Sequence, residues 1–140
     1  MQAYVAQMNI NTMVSVGGDY YDSVCAHLGD EISVQIRIDS TGMIPVNESV
    51  LRLELPEEIE IVKGSVLFTA NNSGVYDAFS DSIVNQGINF SKIGSGNRLE
   101  ITCKLCVKEM NSFNEYLEIL TYYSYKDGDC VRSNIIRIQQ

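Results

Sequence analysis

Residues 31–39 form an uninterrupted alternation of apolar and polar side chains. The apolar set is Ile32, Val34, Ile36 and Ile38, and the polar set is Glu31, Ser33, Gln35, Arg37 and Asp39. A period of two is the signature of a β-strand with one buried face. The chain must therefore supply a second apolar surface to cover that face, and this requirement constrains every other segment.

Further stretches repeat the pattern between turn residues. We predict strands over residues 49–55, 59–61, 66–68, 99–107, 116–125 and 130–138, with shorter ones at 14–16 and 87–90. Lys63-Gly64 has the chemistry of a tight turn between 59–61 and 66–68, and Asp127-Gly128 that of a hairpin turn. Residues 69–86, rich in Asn, Ser, Asp and Gly, form the longest predicted loop.

The absence of helical spacing favours an all-β fold of two antiparallel sheets packed face to face, with a closed barrel as the alternative. A chain of 140 residues suits one core. We predict residues 1–28 as an N-terminal segment carrying a first strand and residues 29–140 as the β-sandwich core, together forming a single domain.

The charge of the chain restricts its partners. A net charge of −8 argues against nucleic acid, because binding to phosphates depends on clustered Lys and Arg. No apolar run reaches the roughly 20 residues that span a bilayer, so this chain is not expected to insert into a membrane. Residues 1–16 lack the basic and apolar pattern of a signal peptide, so export would require this chain to be part of a longer protein.

The order of signals from residue 29 onward is similar to a known family. It consists of Gly29-Asp30, an alternating strand, the Thr41-Gly42 turn, a strand ending in Leu55-Pro56, Lys63-Gly64-Ser65-Val66, Asn71-Asn72-Ser73-Gly74, Ser80-Asp81-Ser82-Ile83, Gly87-Ile88-Asn89-Phe90 and Ile93-Gly94-Ser95-Gly96. This resembles the bacterial conserved repeat domain called domain of unknown function eleven, which occurs as tandem modules in surface and adhesin-like proteins. The resemblance implies an immunoglobulin-like antiparallel β-sandwich of about seven to nine strands, a location on the bacterial cell surface, and no catalytic residues.

Four cysteines raise the question of metal or disulfide chemistry. Cys103 and Cys106 form a C-x-x-C that could join Cys25, His27 and Cys130 around zinc. Residues three apart on a strand point to opposite faces, so we predict Cys103 in the core, Cys106 outside, and no metal site. A Cys106–Cys130 disulfide is compatible with the sequence if their strands are neighbours.

Catalytic constellations are missing from the sequence. His27 is the only histidine, and no G-x-S-x-G turn is present, so a nucleophile cannot be paired with a histidine base as in a catalytic triad. Asp77, Asp81, Asp127 and Asp129 lie in predicted loops, where turn formation is a simpler role than calcium binding. The sequence therefore predicts a non-enzymatic protein without a cofactor.

Tyrosines are the main candidates for binding. Tyr116 and Tyr122 share one face of the predicted strand 116–125, and Tyr76 and Asp77 lie in the predicted loop 69–86. Exposed tyrosine offers a large contact area and a hydroxyl at small entropic cost. We predict a spacer or adhesin-like binding module for a protein or cell-surface partner. The alternative is a structural subunit that self-assembles in a coat or surface layer.

Overall fold

The alternating segment is an interior strand of a sheet in the structure, a computed structural model. The structure describes residues 8–40, 46–70, 77–78, 81–84, 86–94, 96–109, 116–125, 131–132 and 136–139. The strands are β1 (Met8–Ser15), β2 (Ser23–Cys25), β3 (Glu31–Ser40), β4 (Val46–Glu54), β5 (Ile59–Ile61), β6 (Leu67–Ala70), β7 (Asp77–Ala78), β8 (Ile88–Ile93), β9 (Arg98–Val107), β10 (Tyr116–Tyr125), β11 (Val131–Arg132) and β12 (Ile136–Gln139). A single 3₁₀ turn, Asp81–Ile83, is the helical element among these residues.

The strands form two sheets. The first has the order β1-β3-β9-β6-β7, with β5 also on β9, and the second has the order β2-β12-β10-β4-β8, with β11 also on β10. Within the described residues, eight strands have four or more residues. The predicted immunoglobulin-like β-sandwich of seven to nine strands is confirmed.

The core lies between the sheets and is built from the alternating positions. Its β3 and β9 members are Ile32, Val34, Ile36, Ile38, Leu99, Ile101, Cys103, Leu105 and Val107, and each is at most 7% exposed. From the second sheet, β4 contributes Leu51 and Leu53, and β10 contributes Ile119 and Tyr123. Each large apolar side chain removed from water contributes about 1.5–3 kcal/mol to the free energy of unfolding.

One pair of strands departs from the predicted antiparallel arrangement. β2 runs parallel to β12, with Val24 opposite Ile138. The reason lies in the preceding turn, where Tyr21 pairs with Val14 through two backbone hydrogen bonds of 2.7 and 2.8 Å. This bridge carries the chain from the edge of the first sheet to the edge of the second.

The predicted tight turn at Lys63-Gly64 is present, with the Ser65 amide donating to the Val62 carbonyl at 3.1 Å, but the strands on either side of it are not paired with each other. β5 and β6 do not pair with each other; both pair with β9, one after the other along the same side. Between them the chain loops out, with Gly64 at φ +76°. The Ser65 hydroxyl accepts from the Lys104 amide at 3.0 Å and donates to the Lys104 carbonyl at 3.3 Å, so a side chain bridges the break in the ladder.

The predicted loop over residues 69–86 contains ordered elements. β6 extends to Ala70, β7 pairs with β6, and Ile83 of the 3₁₀ turn is fully buried in the core. Its residues 71–76, 79–80 and 85 lie outside the described residues, as does the predicted Asp127-Gly128 turn. The predicted strand 130–138 is two segments, β11 and β12, that pair with β10 in succession. At the N-terminus, β1 is an eight-residue strand where the sequence predicts a short one.

A buried hydrogen bond joins the two sheets through the core. Thr12 of β1 and Thr121 of β10 are both fully buried, and their hydroxyl oxygens lie 3.0 Å apart. A buried hydroxyl is costly to leave without a partner, so this pair favours one alignment of the sheets over others.

The strand directions define two poles of the sandwich. The upper pole contains the start of β1 at Met8, the end of β3 at Ser40 and the start of β9 at Arg98. These three points are neighbours because Met8 pairs with Ser40 and Asp39 pairs with Arg98. The lower pole contains Ser15 and Val107. β4 ends at this pole, and the next strand, β5, starts there opposite Val107. The described part of the chain contains no helix long and apolar enough to cross a bilayer.

Gly87 provides a test of this packing. Its φ is +89°, and a Cβ atom there would lie 2.6 Å from Val50 Cγ1 and 3.2 Å from the Leu51 carbonyl oxygen. Gly29 is the matched control, because its φ is +87° and an added Cβ meets nothing within 4 Å. We expect Gly29→Ala to lower the free energy of unfolding by about 1–2 kcal/mol through backbone strain. We expect Gly87→Ala to lower the free energy of unfolding by the same strain and by about 1–3 kcal/mol more, because the added methyl group overpacks the contact with Val50. Urea unfolding of both variants measures the difference, and equal losses would contradict the close contact with Val50.

Candidate interaction surface

The two faces of β10 have different environments. Leu117, Ile119, Thr121 and Tyr123 point into the core and are buried. Tyr122 points away from the core and is half-buried, with Leu120 beside it on the same face. The alternation in the sequence predicts this division, and it leaves a tyrosine on the outside of the second sheet.

Tyr122 is held by the neighbouring strand. Arg52 of β4 lies directly opposite in the register, and its guanidinium carbon is 4.8 Å from the centre of the Tyr122 ring. Arg52 Nη1 is also 3.8 Å from Glu54 Oε2. Stacking on a cation orients the ring and keeps its outer side available. We call the outward residues Val50, Arg52, Glu54, Leu120 and Tyr122 the Tyr122 face.

A groove of about 460 Å³ continues the Tyr122 face toward the lower pole. It lies where β4 ends and β10 begins, and is lined by Glu54, Leu55, Pro56, Glu57, Glu58, Leu117, Glu118 and Leu120. Glu57 and Glu58 form no ion pair with any described residue. We call this the acidic groove, because four carboxylates surround an apolar floor.

The outer face of the first sheet is organised differently, because its charges pair with one another. Arg98 Nε lies 2.6 Å from Asp39, Arg37 Nε 3.4 Å from Glu100, Lys104 Nζ 3.3 Å from Glu31 and Lys108 Nζ 3.9 Å from Glu60. The hydrogen bond to Asp39, and then the attraction to its charge, raise the pKa of Arg98 above its ordinary value. Glu100 is only 7% exposed and also accepts from Gln35 at 2.9 Å.

The structure separates the other predicted site residues. Tyr116 is the first residue of β10, where its backbone lies opposite Gln139. Asp77 is in β7 of the first sheet rather than in a loop, because its backbone pairs with Phe68. Tyr76 lies outside the described residues. Asp77 and Tyr122 therefore lie in different sheets, and a binding role for the four residues stays a prediction.

The cysteines follow the predicted division of β9. Cys103 is buried and Cys106 is half-buried on the outer side. β9 has β3, β5 and β6 as neighbours, whereas β11, which follows Cys130, belongs to the other sheet. Cys130 lies outside the described residues, so the Cys106–Cys130 disulfide stays a prediction.

His27 is exposed in the turn before β3, where its backbone amide donates to Asp30 Oδ2 at 2.8 Å. In the part of the chain that the structure describes, no three His, Cys, Asp or Glu side chains come together in a metal-binding cluster.

The acidic groove is the feature that sequence reasoning missed. Its signal is the run Glu54-Leu55-Pro56-Glu57-Glu58, in which proline ends β4 and leaves the glutamates at the lower pole. The approach of Glu118 to this run depends on the pairing of β10 with β4, which the sequence does not reveal.

Solved structures share this fold. BcpA, the major pilin subunit of Bacillus cereus, matches with a TM-score of 0.65 and 10% identity over 95% of this chain and 40% of its own. The collagen-binding domain of the surface protein RspB of Erysipelothrix rhusiopathiae matches with a TM-score of 0.57 and 12% identity, over 93% and 45%. A family 123 glycoside hydrolase from Clostridium perfringens matches with a TM-score of 0.52 and 14% identity, over 94% and 27%.

The chain spans less than half the length of each of these three proteins. At identities this low, the structural match establishes a common fold, and function has to be argued from the site. No family model and no curated protein matches the chain.

The Arg52–Tyr122 contact can be measured with a double-mutant cycle. We expect Arg52→Met and Tyr122→Leu to show a coupling of about 0.5–1 kcal/mol in urea unfolding, the usual size of an exposed cation–π contact. Glu54→Gln combined with Tyr122→Leu is the control, since Glu54 approaches Arg52 rather than the ring. A coupling near zero for the first pair, or an equal one for the control, would contradict stacking on Tyr122.

Proposed function

We propose that this chain is a non-enzymatic β-sandwich module of a bacterial surface or envelope-associated protein, and that it acts as a spacer or as an adhesin-like binding domain. The observation that carries the proposal is the match of 95% of the chain to part of a major pilin subunit, together with a similar match to a collagen-binding surface domain. In each case the module corresponds to a fraction of a longer surface protein.

The Tyr122 face supports a binding role. A tyrosine on the central strand of the second sheet, stacked on an arginine, provides an aromatic contact of the kind enriched at protein interfaces. The adjoining acidic groove adds a negative potential, which attracts a partner that carries basic side chains. We propose Tyr122, together with Tyr116 of the same strand, as the contact residues, and collagen as a partner to be tried first.

Surface location is tested on the cells that produce the protein. An antibody raised against the isolated domain is expected to label intact cells, and brief protease treatment of those cells is expected to remove the signal. An antibody against a cytosolic protein provides the control for cell integrity. Labelling only after permeabilisation would overturn the surface assignment.

The second candidate function is a self-assembling structural subunit, which the likeness to a major pilin favours. Sedimentation velocity over a range of concentrations separates the two. For a spacer or binding module we expect a monomer at every concentration. A sedimentation coefficient that rises with concentration, and no longer does so in Tyr122→Ser, would favour the assembling subunit instead. Tyr21→Ser is the control and should keep the rise, because Tyr21 is 56% exposed and lies away from the Tyr122 face.

A further inference from the structure

The first and last strands of the sandwich leave it at opposite poles. Met8, at the start of β1, lies opposite Ser40 at the upper pole. Gln139, at the end of β12, lies opposite Tyr116 at the start of β10, beyond the point where Leu120 pairs with Glu54 at the lower pole. Tension applied through the two ends therefore runs along the strands rather than across them.

β1 is arranged to resist such tension. It pairs antiparallel with β3 over eight residues, from Met8–Ser40 to Ser15–Ser33. Hydrogen bonds in an antiparallel pair are perpendicular to the strands, so pulling β1 along its axis loads all of them together. A pull across the strands would load them one at a time.

β12 is held from both sides. It pairs antiparallel with β10 through four residues and parallel with β2 through three. β2 belongs to the N-terminal part of the chain and runs in the same direction as β12. Tension on the two ends pulls β2 and β12 in opposite directions along their axes. The hydrogen bonds between these two strands are therefore also loaded all at once.

The hydrogen bond between Thr12 and Thr121 connects the first strand, through the core, to the strand that pairs with the last one. Thr12 lies on β1, and Thr121 lies on β10, the strand to which β12 is paired. This contact of 3.0 Å is fully buried, so water does not compete for it. It provides a direct polar connection from the first sheet to the second in addition to apolar packing.

We infer that the sandwich is a load-bearing element, in which axial tension is resisted by shear of β1 against β3 and of β12 against β2 and β10. The inference rests on the proposed function, since tension arises when the module is part of a longer surface protein. The resistance itself is a property of the isolated domain, because forced unfolding is governed by the unfolding barrier along the pulling direction.

Single-molecule force spectroscopy on one labelled protein tests this directly. Glu57, exposed at the lower pole, is replaced by an azide-bearing residue, and tags are placed at both ends of the chain. Pulling between the two ends loads the strands axially. Pulling between position 57 and the C-terminal end, both at the lower pole, peels β12 away one residue at a time. We expect the axial rupture force at equal loading rate to be roughly twofold or more above the peeling force. An axial force equal to or below the peeling force would overturn the inference.

The contribution of the Thr12–Thr121 hydrogen bond to the rupture force is measured in the same two pulling directions, axial and peeling. The double substitution Thr12→Val and Thr121→Val removes both hydroxyls at nearly constant volume and is expected to lower the axial rupture force while leaving the peeling force unchanged. An equal fall in both forces would show that the pair acts through overall stability alone, and would remove it from the load path. Absence of surface labelling would remove the proposed function without changing these forces, so the two failures are distinguishable.

Discussion

The pairing of β3 with β9 is the constraint on which the rest of the sandwich depends. Both strands alternate strictly, so their register places every apolar side chain on the inner face and sets Arg37 opposite Glu100 on the outer one. A slip by one residue would turn the whole isoleucine set of β3 toward water and bring charges into the core. β1 is added to one side of this pair, and β5 and β6 to the other, so the first sheet is built outward from these two strands.

The charges divide the outer surface into two kinds of face. On the first sheet, ion pairs such as Arg98–Asp39 and Arg37–Glu100 lie across neighbouring strands and support the same register as the core. Their charges are largely compensated within the sheet. The second sheet carries a stacked tyrosine and a groove with excess negative charge, and this is the face that we propose for binding.

Sequence periodicity predicts the long strands, because burial of one face imposes the alternation that β3 and β9 display. It does not predict which strands become neighbours. The turn at Lys63-Gly64 forms as its residues predict, yet β5 and β6 both pair with the long β9 and not with each other. The parallel pairing of β2, the burial of Ile83 and the approach of Glu118 to Glu54 likewise depend on contacts between residues distant in sequence.

The break between β5 and β6 has a consequence for how this domain can diversify. From Ile61 to Leu67 the chain advances six residues while β9 advances three, from Leu105 to Thr102, so the break already accommodates three extra residues between two paired segments. The Ser65 hydroxyl completes the ladder where the backbone leaves it. Lys63 and Gly64 therefore occupy a position where extra residues can be inserted without displacing either strand, since loop extension costs little free energy. Such a position lets a lineage, or a protein engineer, graft new peptide sequences onto an unchanged scaffold.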